Sequence, residues 1–98
     1  MEVNYIETKP NMFHFEEWTP ITNPLILKES FEHKLKLSGF NIVNFTEHHF
    51  PKKGYTCIWL LAESHLAIHT FPECNKSYVQ LSSCNLEKRN EFERLLSI

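Results

Sequence analysis

Tyr55-Thr56-Cys57-Ile58-Trp59-Leu60-Leu61-Ala62, followed at once by Glu63-Ser64-His65-Leu66-Ala67-Ile68-His69-Thr70-Phe71, is the stretch that decides the fold. Its first part is apolar on both faces, as in a central strand covered on one side by helices and on the other by a partner or a site. The second part alternates from Leu66 to Phe71. Leu66, Ile68 and Thr70 face one way, and His65, Ala67, His69 and Phe71 the other, so both histidines share the face of Phe71.

Working outward, Ile42 to His48 is rich in β-branched and aromatic residues and reads as a strand that ends before the turn material Phe50-Pro51-Lys52-Lys53-Gly54. Pro72 to Lys76 breaks the alternation. Tyr78 to Cys84 resumes it, with Val79 and Leu81 on one face and Tyr78, Gln80, Ser82 and Cys84 on the other. Asn85 is placed to cap a last helix whose apolar stripe is Phe92, Leu95 and Leu96. Upstream, Met12 to Trp18 alternates with Phe13 and Phe15 on one face. Asn23-Pro24 then opens an amphipathic helix over 23–38 through Leu27, Phe31 and Leu35, which stops at Gly39. Residues 1–10 are polar, end in Pro10 and read as a loosely held arm. The order β-α-β-β-β-β-α predicts an α+β fold: an antiparallel sheet with two helices packed on one face, a two-layer sandwich, in one domain over 1–98.

Composition narrows the function. Eight Phe and two Trp among 98 residues with only two Gly describe a small folded domain. A net charge of −2 provides no field for gripping phosphate backbones, so nucleic acid is not expected as a partner. The longest apolar run, Cys57 to Ala62, is too short to cross a bilayer, and no membrane role is expected. Cys57, Cys74 and Cys84 form no CxxC pair. An odd cysteine count without a signal peptide predicts free thiols and a cytoplasmic location.

One feature exceeds what packing needs. In Glu63-Ser64-His65-Leu66-Ala67-Ile68-His69-Thr70-Phe71-Pro72-Glu73 a serine follows a glutamate and precedes a histidine by five residues, and Cys84 stands twenty residues beyond the serine. Singly these residues are ordinary: Ser64 reads as a loop hydroxyl, His69 as a satisfied strand histidine, Cys84 as a small buried residue. Together they resemble the bacterial and archaeal S-adenosylmethionine decarboxylases, whose motif reads ESHxxIHTxPE with a cysteine at that distance.

The resemblance implies that the chain is a precursor. The Ser64 hydroxyl attacks the carbonyl of Glu63 and turns the amide into an ester, His69 serves the processing step, and elimination and hydrolysis leave a covalent pyruvoyl group at position 64. That group is the implied cofactor. It condenses with the α-amine of S-adenosylmethionine and accepts the electrons released with carbon dioxide. Cys84 is the implied acid that protonates the product, since a thiol of pKa about 8.5 can deliver a proton near neutral pH. Phe50, Gly54 and Thr56 match a family segment FxPxGxS, with Thr56 in place of its serine. Phe50 and Phe71 correspond to aromatic residues near the nucleoside and sulfonium, where a cation-π contact is worth about 0.5–2 kcal/mol. Glu73 matches a carboxylate for the ribose hydroxyls, and His65 is a site residue without an assigned role. A homodimer of cleaved protomers is implied as well.

The pattern covers roughly residues 12–96 and is specific across 50–84. It departs at Thr56, at Gln80-Leu81-Ser82-Ser83-Cys84-Asn85, where relatives have DxFTCG, and beyond the last helix, where relatives usually add a strand. No metal is expected, because His48-His49 has no further ligand at suitable spacing. Two other readings stand beside this one: a pyruvoyl-dependent decarboxylase of ornithine or arginine, and a non-catalytic relative that binds a nucleoside or a paralogue.

Overall fold

A computed structural model describes residues 11–97; the arm read over 1–10 lies outside them. The elements are β1 (Phe13–Thr19), α1 (Pro24–Leu37), β2 (Ile42–His49), β3 (Tyr55–Leu61), β4 (Ser64–Phe71), a 3-10 turn (Pro72–Cys74), β5 (Lys76–Ser83) and α2 (Leu86–Leu96). The five strands form one antiparallel sheet in the order β1-β5-β4-β3-β2.

Local chemistry sets the boundaries. The Asn23 side chain accepts the Ile26 N–H at 3.1 Å, Pro24 has no N–H to leave unpaired, and Gly39 at φ +92° ends α1. Asn85 caps α2 in the same way, accepting the Lys88 N–H at 2.9 Å. Phe50 N–H donates to the Gly54 carbonyl at 3.0 Å and closes the β2–β3 turn, with Gly54 at φ +108°. β5 begins two residues earlier than the alternation suggested, because Asn75 in the left-handed region (φ 54°) redirects the chain after the 3-10 turn. It ends at Ser83, so Cys84 lies just past the strand and is exposed rather than on its outer face.

Both helices cover one face of the sheet. Leu27, Phe31 and Leu35 of α1 and Phe92 of α2 pack on Phe15, Tyr55, Cys57, Trp59, Leu61, Leu66, Ile68, Val79 and Leu81. Among the described residues the other face is open. There the interior strand β3 presents Ile58 and Leu60, exposed at 38% and 50%, so its apolar outer side has no cover among the described residues.

Candidate active site

The β3–β4 connection consists of Ala62 and Glu63, since Leu61 pairs with Ser64. Two-residue hairpin loops favour glycine, asparagine or aspartate where φ is positive, yet here Glu63 sits at φ 60°, a conformation that crowds its Cβ. The Ala62 N–H donates to the Asn41 carbonyl at 3.2 Å and pins the turn from outside. The peptide bond between Glu63 and Ser64 therefore joins a strained residue to the first residue of a strand.

Ser64 points toward the helices and is buried. Its row across the sheet runs Phe13, Ser83, Ser64, Leu61, so two hydroxyls lie between apolar neighbours and must satisfy each other. The Ser64 hydroxyl donates to Ser83 Oγ at 3.3 Å, and the Ser83 hydroxyl donates to the Asn85 carbonyl at 3.1 Å. Cys84, next along the chain, directs its thiol at Glu63 Oε2 at 3.4 Å. Glu63, Ser64, Ser83 and Cys84 thus meet at one end of the sheet.

On the open face the rows are different. Nearest the turn run His14, Ser82, His65 and Leu60, with His14 Nδ1 and Ser82 Oγ sharing a hydrogen bond at 2.8 Å. A second row holds Glu16, Gln80, Ala67 and Ile58. A third holds Trp18, Tyr78, His69, Thr56 and His48, in which Thr56 Oγ1 and His69 Nδ1 are hydrogen-bonded at 3.0 Å. Phe71 lies beyond this row and meets Trp18 with ring centroids 5.8 Å apart. Phe50 meets His48 edge-to-face with ring centroids 4.6 Å apart, and Glu73 is exposed in the 3-10 turn.

The sequence-predicted residues therefore fall into two groups. Glu63, Ser64, His65 and Cys84 surround the β3–β4 turn, whereas Thr56, His69, Phe50, Phe71 and Glu73 lie toward the other end of β4. At about 3.3 Å per residue, His69 is roughly 17 Å along the strand from Ser64, and Phe71 roughly 23 Å. Their odd spacing also places Ser64 and His69 on opposite faces, and the continuous register of β4 leaves no bulge to reverse this. One chain does not bring His69 to Ser64.

Sequence reading missed Ser83 and His14. The first is legible in hindsight as the strand partner of Ser64, one residue before Cys84. The second reaches Ser82 across 68 positions and carries no local signal. Cys57 takes no part: burial in the core pushes its thiol up to about 12. Among the described residues no group of three or more His, Cys, Asp or Glu could hold a metal ion. No helix there is long and apolar enough to cross a membrane.

With this geometry in hand, comparison with known proteins gives a consistent result. The profile of the S-adenosylmethionine decarboxylase family matches residues 12–96. A Bacillus cereus protein named S-adenosylmethionine decarboxylase proenzyme 2 is 38% identical over 74 residues, covering 74% of this chain and 60% of that protein. An S-adenosylmethionine decarboxylase proenzyme of Prochlorococcus marinus is 41% identical over 49 residues, 50% of this chain and 40% of that protein. The chain thus spans 60% or less of the length of these relatives. The crystal structure of the adenosylmethionine decarboxylase from Aquifex aeolicus shares the fold, with a TM-score of 0.75 at 22% identity over 90% of this chain and 78% of that one.

Proposed function

Because the chain belongs to the S-adenosylmethionine decarboxylase family, we propose that it is a precursor that cleaves itself between Glu63 and Ser64 and then decarboxylates S-adenosylmethionine to the aminopropyl donor for spermidine. The observation that carries this reading is the β3–β4 turn. A buried serine with a directed hydroxyl follows a residue held at φ 60°, and a thiol from the neighbouring strand end lies against that same residue. The atoms of the pyruvoyl group would come from Ser64 itself.

That group supplies a carbonyl able to take up the substrate amine and draw in electrons as carbon dioxide departs. The remaining work falls to side chains. Cys84 stands beside the junction as a proton donor, exposed enough to exchange with solvent, while Glu63 Oε2 fixes where the thiol points. Phe50, Phe71 and Glu73 suit a flat, cationic nucleoside, but in a single chain they are far from residue 64.

A homodimer would resolve this separation. The open face measures roughly 24 by 23 Å from strand spacing and length, or about 1,100 Å² over two copies. That clears the ~1,000 Å² expected of a specific interface. Ile58, Leu60, Trp18 and Phe71 supply its exposed apolar surface. Two such faces related by a two-fold axis running across the strands would set the aromatic end of one copy against the turn end of the other, and the second copy's His69 would line the same facing surface. A cytoplasmic location fits free thiols and a soluble substrate.

Intact mass provides the test. Fragments of residues 1–63 and 64–98, the second beginning with a ketone in place of the serine amine, are expected from the wild type, and a single uncleaved mass from Ser64→Ala. Carbon dioxide release is then measured with S-adenosylmethionine, ornithine and arginine. A wild type that stays uncleaved, or one that turns over only a basic amino acid, overturns the proposal.

A further inference from the structure

We infer that Ser83 is a positioning residue for self-cleavage, a role that rests on the reading of Ser64 as the attacking residue. Ser83 is fully buried and directly opposite Ser64 in the β4–β5 ladder. Its own hydrogen is committed to the Asn85 carbonyl at 3.1 Å, and its oxygen accepts the Asn85 N–H at 3.0 Å. A hydroxyl has one hydrogen to give and two lone pairs to offer, so only an acceptor position is left for Ser64. The polarity of the pair is thereby fixed: Ser64 donates, and its lone pairs are turned away from Ser83 and remain free for its own chain.

Asn85 holds this arrangement because it is itself anchored as the N-cap of α2, with its side chain on the Lys88 N–H. The line from helix to serine is therefore α2, Asn85, Ser83, Ser64. Phe13 and Leu61 flank the two hydroxyls, and no alternative buried acceptor is needed, since every buried side-chain polar atom among the described residues has a partner.

In the acyl shift the Ser64 Oγ forms a bond to the Glu63 carbonyl carbon as that carbon's bond to the Ser64 nitrogen breaks. The hydroxyl hydrogen ends on that nitrogen, which becomes a free amine. Ser83 neither gains nor loses an atom in this step. Its contribution is to select one orientation of the Ser64 hydroxyl before attack and so reduce the rotamers through which the attacking oxygen must search.

The test follows fragment appearance in the full chain, with and without hydroxylamine, for Ser83→Ala, Ser83→Thr and the wild type. Ser83→Ala is expected to cleave about three- to tenfold more slowly, the effect of losing one ordinary hydrogen bond from the reacting arrangement. Ser83→Thr, which keeps the hydroxyl, is expected to recover most of the rate. Thermal melting in a Ser64→Ala background identifies variants that fold. If Ser83→Ala does not melt cooperatively, Ser83→Cys takes its place, being close in size but a poorer acceptor. Cleavage at the wild-type rate in a folded Ser83→Ala or Ser83→Cys chain overturns the role of Ser83 while leaving self-cleavage intact. A wild type that never cleaves, even with hydroxylamine, overturns both.

Discussion

Replacing Glu63 with glycine should slow self-cleavage without weakening the fold. Glu63 is held at φ 60°, where a residue with a Cβ is strained by about 1 kcal/mol. The acyl shift moves the Glu63 carbonyl from the Ser64 nitrogen to its Oγ, which loosens the turn, and the later elimination frees residue 63 as a chain end, so the strain raises the precursor and not the product. If the transition state has released it, its removal by Glu63→Gly raises the barrier by about 1 kcal/mol, a rate roughly fivefold lower. Stability should hardly move, because the relief is offset by glycine's greater freedom in the unfolded chain, about 0.5–1 kcal/mol. Glu63→Gln is the control: it keeps the Cβ and an acceptor for the Cys84 thiol, and should cleave like the wild type. Time courses on denaturing gels give the rates, and melting in a Ser64→Ala background gives the stabilities. A glycine variant that cleaves as fast as the wild type refutes the strain argument. Equal slowing of both variants would instead assign the effect to the carboxylate.

Cys84→Ala should still cleave but lose most of its turnover, since the thiol beside Glu63 is the proposed proton donor; full activity in the carbon dioxide assay removes it from the mechanism. His69→Ala, which removes the histidine that a second copy would supply across the proposed dimer, should stop processing at the ester, so that hydroxylamine cuts it between Glu63 and Ser64 while Ser64→Ala resists, and equal resistance would limit His69 to its bond with Thr56. Phe92→Ala should destabilise by about 3–5 kcal/mol, the usual cost of emptying a buried phenylalanine site, here the one where α2 meets Phe15 and Phe31; urea unfolding of the Ser64→Ala background measures it. Tyr55 donates to Glu47 at 2.7 Å, and that bond, with Lys28 and His49 near, holds the Glu47 carboxyl below its ordinary 4.5. A depressed carboxyl stabilises the fold above its unfolded pKa and loses this as pH falls through the folded value. The stability gap between wild type and Tyr55→Phe should therefore be larger at pH 6 than at pH 3, and a constant gap would count against it.

Much of the architecture was readable from particular residues. Asn23-Pro24 and Gly39 delimit α1 because capping and left-handed backbone are local chemistry. Alternation from Leu66 to Phe71 set both faces of β4. The strand itself begins two residues earlier than that alternation, at Ser64, and the same period of two then parts Ser64 and His69 across the sheet. Family spacing drew attention to the pair but not to their sides. What could not be read were the pairings of β5 with β1 and β4, which bring Ser83 to Ser64 and His14 to Ser82. Register between distant strands depends on how the whole sheet seats on its helices, and no local run of residues encodes it.

A cut in the β3–β4 turn would leave β1, α1, β2 and β3 in one piece and β4, β5 and α2 in the other. In the sheet the β4–β5 hairpin lies between β1 on one flank and β3-β2 on the other. The shorter piece would thus be gripped by the longer one along two full ladders and could not leave without dismantling both. Once parted, the pieces would have to find each other as separate molecules, and the longer would have to close around the shorter. Maturation would then be a one-way passage: the uncut chain folds by itself, and the cut form keeps a shape that its fragments have no equally direct way to regain.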